Sequence, residues 1–348
     1  IDTVNRMIPQ HHKLAGLTVK TSNLCSEITL PTGIDKYGKD RTAVCCLSSL
    51  NLENYDEWKD EPGFIEDIMR FLDNVLTDFI NRAPESFDDA KYSATRERSV
   101  GLGVMGFHSF MQKNMIPIES VMAKVWNKKM FQLIDKEVNA ASKKLAEERG
   151  PCPDAAEYGI NERFSNKTAI APTASISIIC GGASPGIEPI AANSYTHKTL
   201  SGSFNVRNKY LRKILQKYNQ DTNEVWSSIT TNQGSIDHLD FLSQDEKDVF
   251  KTAFEIDQRW LIDHSADRTP YISQAQSLNV FIPADIHKKQ LHQIHYQAWK
   301  KGLKSLYYCR SKSIQRAEVV NDSFAKTKKQ KEQEKQQTTD YEECLSCQ

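Results

Sequence analysis

The sequence predicts an α/β fold with parallel strands, followed by a C-terminal tail that does not fold on its own. Three observations predict it. Helical periodicity recurs along the chain, short apolar segments separate the helices, and the last segment lacks apolar residues. The predicted helices cover 66–80, 119–148, 206–219, 244–264 and 285–302. The apolar segments are 168–180, 277–282 and 303–308.

Residues 1–30 predict a loop followed by a short extended segment. The 66–80 helix is amphipathic, and its apolar face consists of Ile65, Ile68, Leu72, Val75, Leu76 and Phe79. The 119–148 helix should stop at Gly150, which Pro151 follows. Asp285 is suited to cap the last helix, and a buried strand is predicted directly after that helix.

The composition divides the chain into a folded part, residues 1–320, and a tail, residues 321–348. Between Asn321 and Glu343 polar and charged residues dominate, and the segment 326–337 has no apolar residue. Such a segment cannot bury enough apolar surface to offset the entropy that folding costs. We therefore predict a flexible tail.

The bulk composition excludes several classes of protein. The 45 basic residues balance the 45 acidic ones, so neither nucleic acid nor an anionic membrane is an expected partner. The sequence has no run of 18 apolar residues, so no transmembrane helix is predicted. Eight cysteines, without an apolar signal core at the start, favour a reducing compartment, the cytoplasm. Because the chain begins with Ile1 rather than Met, we expect a fragment, a processed product or an expression product.

The first motif that could carry chemistry is Asn23-Leu24-Cys25-Ser26-Glu27. In an extended segment alternate side chains share a face, so Asn23, Cys25 and Glu27 would point the same way. A carboxylate can act as a base and a sulfur as a nucleophile or hydrogen abstractor. Composition alone leaves open an ordinary strand with a buried cysteine and an exposed glutamate.

A second motif, Cys344-Leu345-Ser346-Cys347, lies at the end of the tail. Structural zinc normally requires four ligands, and neither a second Cys-x-x-Cys nor a nearby histidine pair is present. A dithiol on a flexible tail is better suited to thiol–disulfide exchange. A tail of this length would typically reach about 30 Å as a flexible coil. This pattern favours a dithiol that travels between an interior site and an external reductant.

Two further motifs carry little information alone. Small and hydroxyl residues after an apolar segment can form a turn that binds phosphate or a routine helix cap, namely Pro172, Thr173, Ala174, Ser175 and Ile176. The adjacent Tyr307 and Tyr308 usually indicate packing, with one ring on each face of a strand.

Weaker patterns are interpreted as structural. Gly101-x-Gly103-x-x-Gly106 has dinucleotide-motif spacing, but no apolar strand precedes it, so close helix packing is the better interpretation. Two histidine pairs lack a third ligand and are predicted to lie on the surface: His11 with His12, and His292 with His295. No metal site is predicted. Four cysteines are interpreted as structural: Cys46, Cys152, Cys180 and Cys309.

Taken together, in this order, the motifs resemble the large catalytic subunit of class I ribonucleotide reductases. The resemblance runs from about Asn23 to the last residue and corresponds to the C-terminal half of that subunit. The segments that carry it are Ser22-Asn23-Leu24-Cys25-Ser26-Glu27-Ile28, Ala43-Val44-Cys45-Cys46-Leu47-Ser48-Ser49-Leu50-Asn51-Leu52, Pro172-Thr173-Ala174-Ser175, Gly186-Ile187-Glu188-Pro189, Leu306-Tyr307-Tyr308 and the terminal cysteine pair. It implies half of a ten-stranded α/β barrel with a central finger loop at about 20–30.

The resemblance also implies residue roles in ribonucleoside diphosphate reduction, a step of deoxyribonucleotide synthesis for DNA replication. Cys25 would carry a thiyl radical and abstract the ribose 3′ hydrogen, with Glu27 as base and Asn23 orienting the carboxylate and sugar. Cys45 would be one of two reducing thiols. The diphosphate would bind at Pro172, Thr173, Ala174, Ser175 and Ile176. Tyr307 and Tyr308 would relay the radical, and Cys344 and Cys347 would reduce the internal disulfide.

The implied partners are a small (beta) subunit, whose metal cofactor generates the radical, and thioredoxin or glutaredoxin. No cofactor is expected on this chain itself. The second reducing thiol and the ATP and deoxynucleotide effector sites would belong to an N-terminal half, so the chain alone is expected to be inactive. Cys46, beside Cys45, is a rival for the reducing role, although the alignment of Val44-Cys45 favours Cys45.

Three alternatives remain open at this level. An adenosylcobalamin-dependent reductase shares the cysteine, the glutamate and the tail dithiol but needs no tyrosine relay, so Tyr307 and Tyr308 favour class I. A non-catalytic redox or zinc-binding module would use Cys344 and Cys347 as its working part. A structural half-protein would only complete the fold of another chain.

Overall fold

In the computed structural model, which describes residues 1–199 and 202–311, parallel strands lie side by side in chain order. The six strands are β1 Cys46–Asn51, β2 Val100–Met105, β3 Ser194–Thr199, β4 Gly202–Arg207, β5 Val280–Ile282 and β6 Cys309–Ser311. The helices are α1 Asp2–Met7, α2 Gln10–Leu14, α3 Tyr55–Trp58, α4 Phe64–Arg82, α5 Asp88–Glu97, α6 Phe107–Lys113, α7 Val121–Arg149, α8 Pro153–Ala156, α9 Ala174–Ile179, α10 Lys209–Lys217, α11 Asn223–Thr231, α12 Gln244–Val249, α13 Gln258–Arg268 and α14 Lys288–Lys300.

The parallel strands form one continuous ladder. β1 pairs with β2 from Cys46 opposite Val100 onwards. Single parallel bridges continue it, from Leu102 to Thr168 and from Ile170 to Gln276, and β5 then pairs with β6. Each connection between neighbours contains helices, which is the expected arrangement for parallel strands. The antiparallel hairpin of β3 and β4 stands apart from this ladder.

The two faces of the ladder differ in character. Cys46 and Leu50 of β1 and the even-numbered residues of β2 pack into a large apolar core with α4, α7 and α13. The odd-numbered Gly101 of β2 lies on the other face, where a Cβ would be 3.0 Å from the Cys45 sulfur. Because side chains alternate along a strand, one face carries the core and the other carries the thiol.

A second, smaller apolar cluster is built by α10, α11 and the segment around α12. Trp226 and Phe250 are its largest buried members. Tyr210 joins this cluster and donates a hydrogen bond to the buried carboxylate of Glu53, which follows β1. The small cluster is thereby anchored to the ladder.

Most predicted helices are present, with shifted boundaries. The long helix ends at Arg149 before Gly150, as predicted, and the helix predicted at 66–80 is α4. The 244–264 prediction is wrong in its middle, since two helices, α12 and α13, replace one. The cap of α14 is His287, which accepts a hydrogen bond from the Lys289 amide, rather than Asp285.

Three local predictions are wrong. The start of the chain forms α1 and α2 rather than loop. The strand predicted at 303–308 begins only at Cys309. His11 and His12 are buried, not on the surface: His11 bonds to the Ser165 hydroxyl at 2.7 Å, and burial lowers the pKa of His12 to about 3. His292 and His295 are exposed, as predicted.

The glycine-rich motif lies on a strand, so the prediction of close helix packing is also wrong. Gly101 and Gly103 belong to β2, and a Cβ at Gly103 would overlap the backbone oxygen of Ala169 on the neighbouring segment. The glycines allow two strands of the ladder to approach closely.

In the described parts of the chain, no helix is long and apolar enough to cross a membrane. Within the same ranges, no group of three or more histidine, cysteine, aspartate or glutamate residues is arranged to hold a metal ion.

We expect Gly103→Ala to lower the free energy of unfolding by about 1–3 kcal/mol, because the added methyl group meets backbone rather than a movable side chain. Urea titration followed by circular dichroism measures this. Lys128→Ala, on the exposed face of α7, is the control and should leave the midpoint unchanged. An unchanged midpoint for Gly103→Ala would contradict the close approach of these strands.

Candidate active site

The finger loop, residues 20–30, turns sharply at its tip. The Ser26 amide donates to the Asn23 carbonyl, and Ser26 itself has a left-handed backbone with φ 65°. The Asn23 side-chain oxygen accepts a hydrogen bond from the Ile28 amide at 3.1 Å. The extended segment predicted here is therefore wrong, and Asn23 stabilises a turn.

This turn still brings Cys25 and Glu27 into one buried place. Cys25 is 1% exposed and Glu27 is 3% exposed, whereas Leu24 between Asn23 and Cys25 points outward and is 59% exposed. The Ser277 hydroxyl contacts both residues: it donates to the Cys25 carbonyl and lies 3.0 Å from a carboxylate oxygen of Glu27. The Ala275 amide donates to the Glu27 carbonyl at 2.9 Å. The loop is thus fixed to the strand segment that precedes β5.

The tyrosine pair reaches the Cys25 thiol as well. The Cys25 thiol donates a hydrogen bond to the Tyr307 hydroxyl at 3.4 Å. The ring centroids of Tyr307 and Tyr308 are 4.0 Å apart. Burial, then the bonds to Cys25 and Tyr308, raise the pKa of Tyr307, so the phenol stays protonated at neutral pH. Tyr308 is 45% exposed, so the pair leads from the surface to the thiol.

Cys45 and Cys46 lie on opposite faces of their strand. Cys46 packs against the apolar core, whereas the Cys45 sulfur accepts a hydrogen bond from the side-chain Nε2 of Gln274 at 3.2 Å. Burial raises the pKa of the Cys45 thiol, which keeps it protonated. Gln274 also accepts a hydrogen bond from the Thr29 amide at 3.1 Å, and so joins Cys45 to the finger loop.

Sequence reasoning missed Gln274 and Lys304. The Lys304 ammonium donates to the carbonyls of Ile272, Ser273 and Gln274 at 2.8, 2.7 and 2.6 Å. Burial lowers the pKa of Lys304 to about 7, while three carbonyl acceptors favour its charged form. Lys304 fixes the turn that presents Gln274. The only sequence signal for Lys304 is its position three residues before Tyr307. Nothing in the sequence shows to which backbone carbonyls its ammonium group donates.

The predicted phosphate turn lies next to this site. Ile170 accepts a hydrogen bond from the Ser277 amide at 2.8 Å, and Pro172 follows two residues later. Thr173 has a left-handed backbone with φ 55°, and α9 begins at Ala174. The Thr173 hydroxyl accepts a hydrogen bond from the Gly186 amide, which folds the 186–189 motif back against the turn. Ser175 and Ile176 are exposed.

The predicted redox residues Cys344 and Cys347 lie outside the described residues. Cys152 is buried, in agreement with a structural role, but Cys180 and Cys309 are exposed.

The fold and these contacts define a class of protein: a parallel α/β barrel unit with a loop-borne thiol that contacts a tyrosine pair. The ribonucleotide reductase barrel-domain family matches residues 1–162 and 153–309. The chain belongs to this family. The resemblance drawn from the sequence motifs is confirmed, as is the predicted barrel fold.

Curated relatives and a solved structure agree. The chain is 51% identical to the ribonucleoside-diphosphate reductase large subunit of Invertebrate iridescent virus 6, over 86% of this chain and 31% of the relative. It is 45% identical to that of Invertebrate iridescent virus 3, over 92% and 50%. The class Id ribonucleotide reductase alpha subunit of Actinobacillus ureae has a TM-score of 0.82 at 38% identity, covering 90% of this chain and 57% of that one.

This chain therefore spans about a third to a half of the length of the two viral relatives.

The thiols should differ widely in reactivity. At pH 8 we expect iodoacetamide to modify exposed Cys180 at least about tenfold faster than Cys45 and Cys152, whose pKa values are raised by burial. Peptide mass spectrometry over time measures each rate, and the urea-unfolded chain, with all thiols modified alike, is the control. Equal rates for Cys45 and Cys180 in the folded chain would contradict the partly buried position of Cys45.

Proposed function

We propose that this chain is the C-terminal part of the large subunit of a class I ribonucleotide reductase and acts on ribonucleoside diphosphates. The observation that carries the proposal is the 3.4 Å contact between the Cys25 thiol and the Tyr307 hydroxyl, with the Tyr308 ring behind it. A buried thiol needs a path along which a hydrogen atom and charge can leave, and adjacent tyrosines offer one.

In the proposed reaction, a Tyr307 phenoxyl radical takes the hydrogen atom of the Cys25 thiol, so that an O–H bond forms and an S–H bond breaks. The Cys25 thiyl radical then takes the ribose 3′ hydrogen, and Glu27 accepts the 3′-hydroxyl proton. One of two reducing thiols gives a proton to the 2′-hydroxyl, whose C–O bond breaks as it leaves as water. Cys45 and a second thiol from the N-terminal half together supply two electrons and two protons and become a disulfide; one proton leaves in the water and the other hydrogen forms the new C–H bond at C2′. Glu27 then returns its proton to the 3′ oxygen, and Cys25 returns its hydrogen atom to C3′.

The geometry gives each group a fitting environment. Cys25 and Glu27 are enclosed, which shields a radical from water and stray hydrogen donors. The Ser277 hydroxyl fixes both groups, so their separation is set before substrate arrives. Asn23 acts by holding the turn that presents Cys25 and Glu27. The turn from Pro172 to Ile176 would bind the diphosphate beside Glu27.

The proposed partners follow from the family to which the chain belongs. A small subunit would supply the radical from its metal cofactor, and the N-terminal half would supply the second thiol and the sites for ATP and deoxynucleotide effectors. Cys344 and Cys347 would carry electrons from thioredoxin or glutaredoxin in the cytoplasm to the disulfide at Cys45. No cofactor is proposed on this chain itself.

The cobalamin-dependent alternative is disfavoured by one observation. Such an enzyme generates the thiyl radical without a protein relay and gives no reason for two tyrosine rings in contact, one of them against Cys25. The redox or zinc module is disfavoured because the buried Cys25 and Glu27 and the hydrogen-bonded Cys45 would then have no chemical task. A purely structural half-protein is disfavoured for the same reason.

We expect Cys25→Ser and Tyr307→Phe each to lower CDP reduction by more than about a thousandfold, because each removes a group through which the radical must pass. The assay uses the chain completed by an N-terminal large-subunit half and combined with a small subunit. Tyr158→Phe is the matched control, since its hydroxyl contacts only Lys36 in the described structure, and it should retain wild-type turnover.

Turnover by Tyr307→Phe at the wild-type rate would disprove the relay. If that turnover depended on added adenosylcobalamin, the cobalamin-dependent alternative would replace the proposed one. Activity that survives Cys25→Ser would remove Cys25 from the chemistry altogether.

A further inference from the structure

A buried chain of hydrogen bonds connects the Thr173 turn with the backbone of Tyr308, and no step of the proposed reaction uses it. It runs through Glu188 and Asn279. Glu188 belongs to the 186–189 motif and is 7% exposed, and Asn279 directly precedes β5 and is 4% exposed. Two polar side chains this deeply buried are costly unless their hydrogen bonds are satisfied.

Glu188 and Asn279 match each other at two points. One carboxylate oxygen of Glu188 accepts the Asn279 amide N–H at 2.8 Å, and the other accepts the Asn279 side-chain Nδ2 at 3.0 Å. Both donors are on Asn279, so both acceptor oxygens of the carboxylate are needed. This pairing fixes which way the Asn279 side chain points.

That orientation determines what Asn279 offers to the tyrosines. With Nδ2 toward Glu188, its Oδ1 faces Tyr308 and accepts the Tyr308 backbone N–H at 2.9 Å. The Tyr308 carbonyl in turn accepts the Val280 N–H at 2.8 Å, and the Tyr307 N–H donates to the Leu278 carbonyl. The Asn279 side chain thus supplies the contact that completes the register of Tyr308 against this strand.

At its other end, this series of hydrogen bonds reaches the Thr173 turn. The Gly186 amide donates to the Thr173 hydroxyl at 2.7 Å. Gly186 has φ 48°, and a Cβ there would be 3.1 Å from the Ala171 carbonyl oxygen, so the two turns are in direct contact. The Glu188 amide closes its own turn by donating to the Pro185 carbonyl.

We propose that Glu188 is a positioning residue for the tyrosine pair. Its carboxylate orients Asn279, Asn279 holds the Tyr308 backbone, and the pair is thereby placed in register with the turn at Thr173. This inference rests on the proposed function, because positioning matters only if Tyr307 and Tyr308 relay a radical. Neither Glu188 nor Asn279 touches the reacting atoms.

The ionised carboxylate of Glu188 lowers the stability of the fold, which is consistent with a functional role for this residue. Burial raises the pKa of Glu188 from 4.5 to about 7, against the two Asn279 bonds and the charge of Arg310, which lower it. A carboxyl with a raised folded pKa contributes stability below its ordinary pKa and loses it as pH rises through about 7. At pH 8 the ionised group therefore costs folding free energy, while it offers the two acceptors that Asn279 requires.

Glu188→Gln isolates the contact. The Nε2 of the introduced amide would face the Asn279 Nδ2, donor against donor, and an Asn279 flip to relieve this would turn Nδ2 toward the Tyr308 N–H. In both cases one of the hydrogen bonds that link residue 188, Asn279 and Tyr308 is lost. The double variant Glu188→Gln with Asn279→Asp restores every bond, because the introduced amide then donates to the new carboxylate, whose second oxygen accepts the Tyr308 N–H.

Two measurements test this, with Glu147→Gln on the exposed face of α7 as the control. Hydrogen exchange of the chain itself should show the Tyr308 amide exchanging about tenfold faster in Glu188→Gln, as expected for one lost buried hydrogen bond, and restored protection in the double variant. In the completed enzyme at pH 8, kcat for CDP reduction should fall at least about tenfold with KM changed less than about twofold, and recover in the double variant. Urea midpoints at pH 8 should stay close to wild type.

The outcomes separate the two proposals. Unchanged Tyr308 protection in Glu188→Gln, or protection that the double variant does not restore, overturns the positioning role whatever the activity. A wild-type kcat in Glu188→Gln also overturns it. An enzyme that lacks CDP reduction in the wild-type form while the exchange pattern holds overturns the proposed function instead. A kcat loss that tracks a lowered urea midpoint, and is matched in Glu147→Gln, indicates general destabilisation and counts against positioning.

Discussion

The seating of the finger loop on the strand segment 274–277 is the constraint on which the site depends. A loop inside a barrel carries backbone groups that water cannot reach, so each must find a partner in the protein. Ser277 and Ala275 satisfy the carbonyls of Cys25 and Glu27, and Gln274 satisfies the Thr29 amide. These hydrogen bonds offset the cost of burying the backbone of the loop, and they also fix the positions of the Cys25 thiol and the Glu27 carboxylate.

The position of the finger loop requires a ladder of strands whose two faces carry different kinds of side chain. The helix-facing side of β1 and β2 is filled by apolar side chains, whereas the inner side carries Cys45 and glycines. Glycines at 101 and 103 let neighbouring strands approach and leave room for a sulfur beside them. A Cβ at Gly101 would meet Leu47, Ala169 and Cys45 on this face, so the small size of glycine leaves room for all three.

Long periodic elements were predictable because their signals are local. The apolar stripe of α4 and the Gly150 stop of α7 depend on neighbours along one helix, and both were found. The turn at the tip of the finger loop was not, since Ser26 adopts φ 65° through contacts that the nearby residues do not reveal. His11 and His12 failed for the same reason: their burial is decided by Ser165 and Asp154, more than 100 residues away.

The sequence by itself determined the family resemblance, the α/β class and the residue types that could carry chemistry: Cys25, Glu27, Cys45, Tyr307 and Tyr308. Only the tertiary structure decided that Tyr307 lies against Cys25, that Cys45 rather than Cys46 faces Gln274, and that Glu188 reaches Tyr308 through Asn279. These contacts join residues far apart in the chain. Strand register and closure set them, and no local pattern of residues encodes a register between distant strands.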